Sequence, residues 1–470
     1  MKLLRRNLRL AAGAVALLLV GLIAYGAYSL NVFGNRWFSS SANTALRRVK
    51  QGVTPGRILD RSGLVLADNG PDGKRTYHPD ALTRSALVHL LGDSEGMVAY
   101  GAESFLASLL YDFGGNYLGR LGAFFRGEQP RGMDVRLSVD SALTRRAAEL
   151  FPKGKSGAVI VLNWKTGEVL ALSSFPGFDP NSPVRAGDDD PAQPYWNRAT
   201  RWLSAPGSTF KVVTMASALQ RLPGATAKTY TCTGAFMVDG TLITDAGGAV
   251  HGELTLRDAL AVSCNITFAK AALEAGDEAM RKTARAFGIG DYLLFSDLVV
   301  ENSGYPASNR VSKEIAWTGA GQSALSITPL HMAMVASGIA NGGMMMEPKL
   351  LLSAMDAAGI SHRRMAPEVY RTPLTPTDAA TIRAAMRRAV THGTASRARV
   401  DGLTVCGKTG SAQVDRQENT NAWFIGFIQE ENHPYAISVV VQDAGGGGEI
   451  AAPIAGELFK YLRQHAPAGR

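Results

Sequence analysis

The chain has 470 residues, more than one ordinary hydrophobic core encloses and enough for two domains. Its net charge of +9 is mild and scattered, with no basic stripe interleaved with aromatics, which excludes nucleic acid as a partner. Three cysteines cannot all pair within one exported molecule, and none of the eight histidines has a local ligand spacing such as His-Glu-x-x-His, so no metal or other cofactor is expected.

Lys2, Arg5, Arg6 and Arg9 precede a charge-free, apolar run over residues 10–35. Crossing a bilayer takes roughly 20 residues, and a basic flank stays on the cytoplasmic side. Residues 1–9 are therefore expected as a cytoplasmic tail and 10–30 as a single transmembrane anchor in contact with membrane lipid, with the rest of the chain beyond it. A cleaved export signal is the competing reading, because Ala24-Tyr25-Gly26 has a small-x-small pattern.

Residues 56–67 read as strand, turn and strand, with Ser62-Gly63 at the reversal. Residues 84–126 read as helical and mixed, with a break at Gly114-Gly115, so 31–152 are expected as a small, irregular, non-catalytic pedestal. Asp140-Ser141 signals the N-cap of a helix to about Leu150, and Pro152-Lys153-Gly154 marks the boundary. From 153 to 470 a second domain follows. Apolar segments at 158–162 and 168–172 flank a turn at 163–167, strand patterns return at 403–406, 422–427 and 435–441, and a helix covers about 450–462. The pattern predicts an α+β fold, one antiparallel sheet with flanking helices and a helical subdomain over 205–395. Gly445 to Gly448 lacks a following Gly-Lys-Ser/Thr and reads as a flexible connection.

Three segments carry chemistry. Ser208 is the only serine with a lysine three residues on, and Pro206-Gly207 before it and the apolar spacing after it place it at a helix start. Residues i and i+3 share a helix face, which puts the Lys211 amine beside the Ser208 hydroxyl. A serine hydroxyl needs a base to become nucleophilic. Lysine serves only when neutral, a state favoured by burial and by a second cation such as Lys408. The second segment is Ser263-Cys264-Asn265, where a hydroxyl relays the proton and an amide holds a peptide group. The third is Lys408-Thr409-Gly410-Ser411 on a strand, suited to an extended peptide: Lys408 and Thr409 meet a terminal carboxylate, Gly410 permits close approach, and the Ser208 and Ser411 amides form an oxyanion hole. Two sequences are decoys. Lys165-Thr166-Gly167 falls in a hairpin turn, and Gly92-Asp93-Ser94-Glu95-Gly96 lacks the preceding strand that a nucleophile elbow needs.

In this order the segments resemble the penicilloyl-serine transferases, specifically the class B, monofunctional penicillin-binding proteins. Residues 56–61, 165–171, 178–181, 197–199, 206–211, 328–330 and 423–427 are similar to family signatures. Gly321-Gln322-Ser323 departs from them, with serine where many relatives have a second glycine. The resemblance implies a peptidoglycan D,D-transpeptidase with Ser208 as acylated nucleophile, Lys211 as its base, Ser263 and Asn265 as the second motif and Lys408, Thr409 and Gly410 as the third. It implies D-Ala-D-Ala stem peptides as substrate, β-lactams as inhibitors, and a partner glycosyltransferase of the shape, elongation, division and sporulation family in the bacterial cytoplasmic membrane. A D,D-carboxypeptidase, and a β-lactam sensor or scaffold without turnover, are the alternatives. Cys406 shares a strand face with Lys408, and its pairing with Cys264 is weighed against packed free thiols, the commoner case.

Overall fold

The computed structural model describes residues 2–38, 53–71, 73–112, 125, 127, 129–183, 190–307, 310–413 and 420–465. Its centre is a five-stranded antiparallel sheet in the order Val405–Gln413, Thr420–Ile428, Tyr435–Val441, Gly157–Asn163, Val169–Phe175. Two early and three late strands do form one sheet. Gly157–Asn163 and Tyr435–Val441 are buried at every residue, because helices cover both faces.

Alternation along the strand divides the core. Ala158, Ile160 and Leu162 join Val212, Val213, Met332, Val335 and Ile339 on one side. Val159 and Val161 join Leu143, Ala147, Leu458 and Phe459 on the other. The first side rests on the helix Pro329–Ala340, buried throughout and apolar apart from His331 and Ser337. Its start is fixed by Thr328, whose side chain accepts the His331 N–H, and by Pro329 in the first turn, where no N–H is needed. On the second side lie Ser141–Leu150, capped by Asp140 as expected, and the C-terminal helix Ala451–Gln464. Ser141–Leu150 thus packs in the core of the catalytic sheet although it precedes residue 152.

The N-terminal module is more regular than its sequence suggests. Ile58–Leu59, Val65–Asn69, Arg75–Tyr77 and Asp134–Leu137 form a six-stranded sheet with two strands from far along the chain, Leu351–Met355 and Ser361–Arg364. Asp60 holds the reversal by accepting the Ser62 and Leu64 amides and the Ser141 hydroxyl. Arg61 reaches Glu168 at 3.1 Å and so ties this sheet to the first hairpin of the five-stranded one. Gly114-Gly115 lies outside the described residues.

Lys2–Phe38 is one helix, and its stretch Leu3–Leu30 is long and apolar enough to cross a bilayer. Such a helix is consistent with a single-pass membrane protein. Between the sheet strands, helices dominate 205–395 as expected, but short ribbons intervene: Thr229–Cys232 with Gly252–Thr255, and Ala235–Val238 with Thr241–Thr244.

Candidate active site

The chain around Ser208 begins as a 3-10 turn, Gly207–Phe210, and continues as the helix Lys211–Arg221. Thr209 ties the turn with a 2.6 Å bond to the Pro206 carbonyl, and Phe210, Val212, Val213 and Met215 anchor it in the core. Ser208 stays partly exposed at its edge, whereas Lys211 is fully buried.

Ser263 occupies a junction between two helices, Leu256–Val262 and Asn265–Ala275. It takes φ +63, a left-handed conformation uncommon for a side-chain-bearing residue. The reversal turns both its hydroxyl and its carbonyl toward Lys211, whose Nζ donates to Ser263 O at 2.5 Å, to Asn265 Oδ1 at 2.7 Å and to Ser263 Oγ at 3.3 Å. Asn265 is fixed from its other end, donating from Nδ2 to the Thr244 carbonyl at 2.9 Å.

Lys408, also fully buried, donates to the same Ser263 Oγ at 2.8 Å and to Thr409 O at 2.8 Å. It lies in the edge strand Val405–Gln413, paired with Ile425. The hydroxyls of Thr409 and Thr394 share a 2.7 Å bond. Ser411 is exposed on this strand, and its carbonyl accepts Gln322 Nε2 at 3.4 Å.

Four expectations need correction. No hydrogen bond joins the Ser208 hydroxyl to Lys211, because three acceptors of the 263–265 segment hold the amine. Lys408 is not the source of the shift at Lys211. Burial lowers the Lys211 amine to about 8 against the opposing pull of Asp245 and Cys264, while burial and the charge of Lys211 drive Lys408 well below the usual lysine range. The space at Gly410 is used by the protein itself: a Cβ there would stand 2.9 Å from the Pro206 carbonyl. Nor is 445–448 a loose connection, since a Cβ at Gly447 would lie 2.2 Å from Trp423 O and 2.3 Å from Gly410 O.

Both decoys stand apart from the cluster. Lys165 sits on the 163–167 turn and pairs with Glu431, and residues 92–96 follow a helix, Ala81–Leu91. Ser323, the departure from the family pattern, adopts φ +73.

All three cysteines are free and buried, and Cys264 keeps company with Cys232 rather than Cys406. Cys232, Asp245, His251 and Cys264 present four ligand-type atoms within 4.8 Å of one another, a grouping that histidine spacing does not reveal. That test read local spacing on one helix, whereas these four side chains come from separate ends of the two ribbons and a helix start. Asp245 is the site residue that sequence reasoning missed. One carboxylate oxygen accepts the Asn265 backbone N–H, and the other meets both thiols and the imidazole.

The family profile of the penicillin binding protein transpeptidase domain matches residues 157–460. The peptidoglycan D,D-transpeptidase PbpA of Mycolicibacterium smegmatis is 32% identical over 365 residues, covering 71% of this chain and 73% of that protein. Stage V sporulation protein D of Bacillus subtilis is 29% identical over 70% of this chain and 53% of its own length. Among solved structures, the penicillin G acyl-enzyme complex of penicillin-binding protein A from M. tuberculosis superposes with a TM-score of 0.78 at 27% identity, covering 88% of this chain and all of that one. The chain belongs to the penicillin-binding protein transpeptidase family, as a class B member.

Proposed function

We infer that this chain is a serine-type peptidoglycan D,D-transpeptidase whose acyl-enzyme forms on Ser208. The observation that carries the residue assignment is convergence: Lys211 and Lys408, nearly 200 positions apart, both reach Ser263 Oγ, next to the turn that bears Ser208. In this reading neutral Lys211 takes the Ser208 proton as Oγ attacks the carbonyl of the penultimate D-Ala. The amides of Ser208 and Ser411 stabilise the oxyanion. The proton passes through Ser263 to the nitrogen of the terminal D-Ala, which departs. A stem-peptide amine then attacks the ester, its proton returns along the same route, and Ser208 is restored. Asn265 holds the donor peptide, Lys408 orients Ser263, and Thr409 and Gly410 line the edge along which the peptide extends. β-lactams acylate the same serine, in keeping with the penicillin G acyl-enzyme of the M. tuberculosis relative.

The four basic residues before the apolar run favour a cytoplasmic N-terminus in a bacterial membrane, with the catalytic domain outside. We assign 1–9 to the tail, 10–30 to the anchor and the six-stranded sheet, including 351–364, to the pedestal; the helix at 141–150 goes with the catalytic unit because its core is there. Strand polymerisation is assigned to a membrane glycosyltransferase partner of the shape, elongation, division and sporulation family.

Intact mass spectrometry after penicillin treatment tests the nucleophile: the adduct forms on the native chain and is absent from Ser208→Ala. Nascent glycan strands test the acceptor. Cross-linked dimers support the transpeptidase, while free D-Ala without dimers supports a carboxypeptidase. A penicillin adduct with neither product would leave the non-turnover sensor or scaffold.

A further inference from the structure

We propose that the C-terminal helix and the turn laid across it form a cationic groove that binds a linear phosphodiester polymer outside the membrane. The helix Ala451–Gln464 turns Leu458 and Leu462 to the core and leaves Glu457, Lys460, Arg463 and Gln464 exposed along the opposite face. The 3-10 turn Ser396–Ala398 rests directly on this helix. A Cβ at Gly456 would stand 3.0 Å from Arg397 O, so only a residue without a side chain lets the turn come so near. Arg463 donates to the Asp401 carbonyl, and Arg397 and Arg399 come to lie alongside Lys460 and Arg463.

Three clefts run together here. One of about 620 Å³ is lined by Arg397, Arg399, Lys460 and Arg463. A second, of about 310 Å³, shares Arg399 and Asp401 with the first and continues to Arg387 on the helix Pro376–His392. A third, of about 360 Å³, shares Glu457 and Lys460 and continues to Arg146 on Ser141–Leu150. These six cations face two carboxylates, whose pairings are long: Asp401 to Arg399 at 3.6 Å, and Glu457 to Arg146 at 3.6 Å and to Lys460 at 4.0 Å. Among the described residues the guanidinium groups of Arg387 and Arg397 have no ion pair or hydrogen bond. Charge that is scattered along the sequence is thus gathered by the fold into one groove of net charge +4.

Shape and chemistry select the occupant. Continuity over three clefts suits an extended chain of repeated charges rather than one small anion. Five of the six cations are arginines, whose planar fork meets the two non-bridging oxygens of a phosphodiester. None of the large hydrophobic side chains exposed among the described residues lines the groove, so it offers no anchor to a bilayer and no seat for the apolar side chains of a peptide. The second cleft reaches Val405, the first residue of the strand that carries Lys408. A bound polymer would therefore tether the catalytic strand beside it. The placement outside the membrane rests on the topology proposed above, whereas the binding does not.

The test uses the full chain in uncharged detergent, with synthetic poly(glycerol phosphate) as the probe. Titration calorimetry is expected to show saturable binding that weakens as salt rises. Joint replacement Arg397→Ala and Lys460→Ala should weaken it at least about 10-fold, and Arg387→Ala alone should weaken it less. Lys282→Ala, an exposed cation on the helix Asp277–Ala286, should leave it unchanged. All variants should keep the native melting temperature and penicillin acylation rate. The groove is overturned if the native chain shows no saturable binding or if the joint replacement binds as well as the native chain. Equal binding of poly-L-glutamate overturns the phosphodiester assignment, and binding confined to phosphatidylglycerol vesicles would give the surface to the bilayer instead. Failure of Ser208 to acylate while the polymer still binds would count against the proposed chemistry alone, so the two readings fail separately.

Discussion

Lys211 and Lys408 meet at one hydroxyl: their amines lie 3.3 and 2.8 Å from Ser263 Oγ. Removing the Lys408 amine leaves Ser263 without its shorter bond. Lys408→Met, which keeps the buried stem, should lose a buried contact of about 1.5 to 3 kcal/mol. That corresponds to a roughly 10- to 150-fold slower penicillin acylation. Lys165→Ala, which removes a half-exposed ion pair with Glu431, should change acylation little and stability by less than about 0.5 kcal/mol. Second-order acylation constants and melting temperatures of both variants decide the matter, and equal losses would contradict the site.

Burial lowers the Lys211 amine to about 8, and only its neutral form accepts the Ser208 proton. Raising the pH strips the proton and supplies the base. The acylation constant should climb from pH 6 and level off above about pH 8. A profile that is flat or falls over this range would place the base elsewhere.

A Cβ at Gly447 would fall 2.3 Å from the Gly410 carbonyl. Gly447→Ala should therefore force the 445–448 segment away from the edge strand, costing about 1 to 3 kcal/mol of stability. Chemical denaturation measures the loss, and an unchanged midpoint would show that the segment moves freely.

His331 is buried with its ring nitrogens 2.8 Å from Ser303 Oγ and 2.8 Å from Phe287 O, and burial lowers its pKa to about 4. The unfolded chain, with an ordinary histidine, binds the proton first on acidification. Stability is therefore full above about pH 6.5 and declines as the pH drops toward 4. From pH 7 to 5 the loss from this group is about 2 kcal/mol. Urea melts of the native chain and of His331→Gln test it: the variant starts less stable but should decline less over that interval.

Four of the five strands of the central sheet were legible as apolar runs, Val405–Gln413 only at its first residues because its centre carries Lys408-Thr409-Gly410-Ser411, and the helix start at Asp140 carries its capping residue in the sequence. The pairing of Leu351–Met355 with Asp134–Leu137 was not, since a strand of five mixed residues has no strong period and its partner lies more than 200 positions away. At the site, short motifs named Lys211, Ser263, Asn265 and Lys408, which hydrogen bonds link in the fold, and Ser208 on the turn just before Lys211. Asp245 escaped notice because it sits in an Asp-Ala-Gly-Gly stretch that reads as any turn. Its importance comes only from the distant thiols and the helix start that converge on it.

The left-handed turn at Ser263 makes this position hard to replace. A non-glycine residue at φ +63 costs on the order of 1 kcal/mol, which glycine would avoid. Glycine also lacks the hydroxyl that both buried lysines reach, and amines left without it cost about 1 to 3 kcal/mol. The strain is the smaller quantity. A library randomised at this codon and sorted on heat resistance alone should therefore return serine rather than glycine.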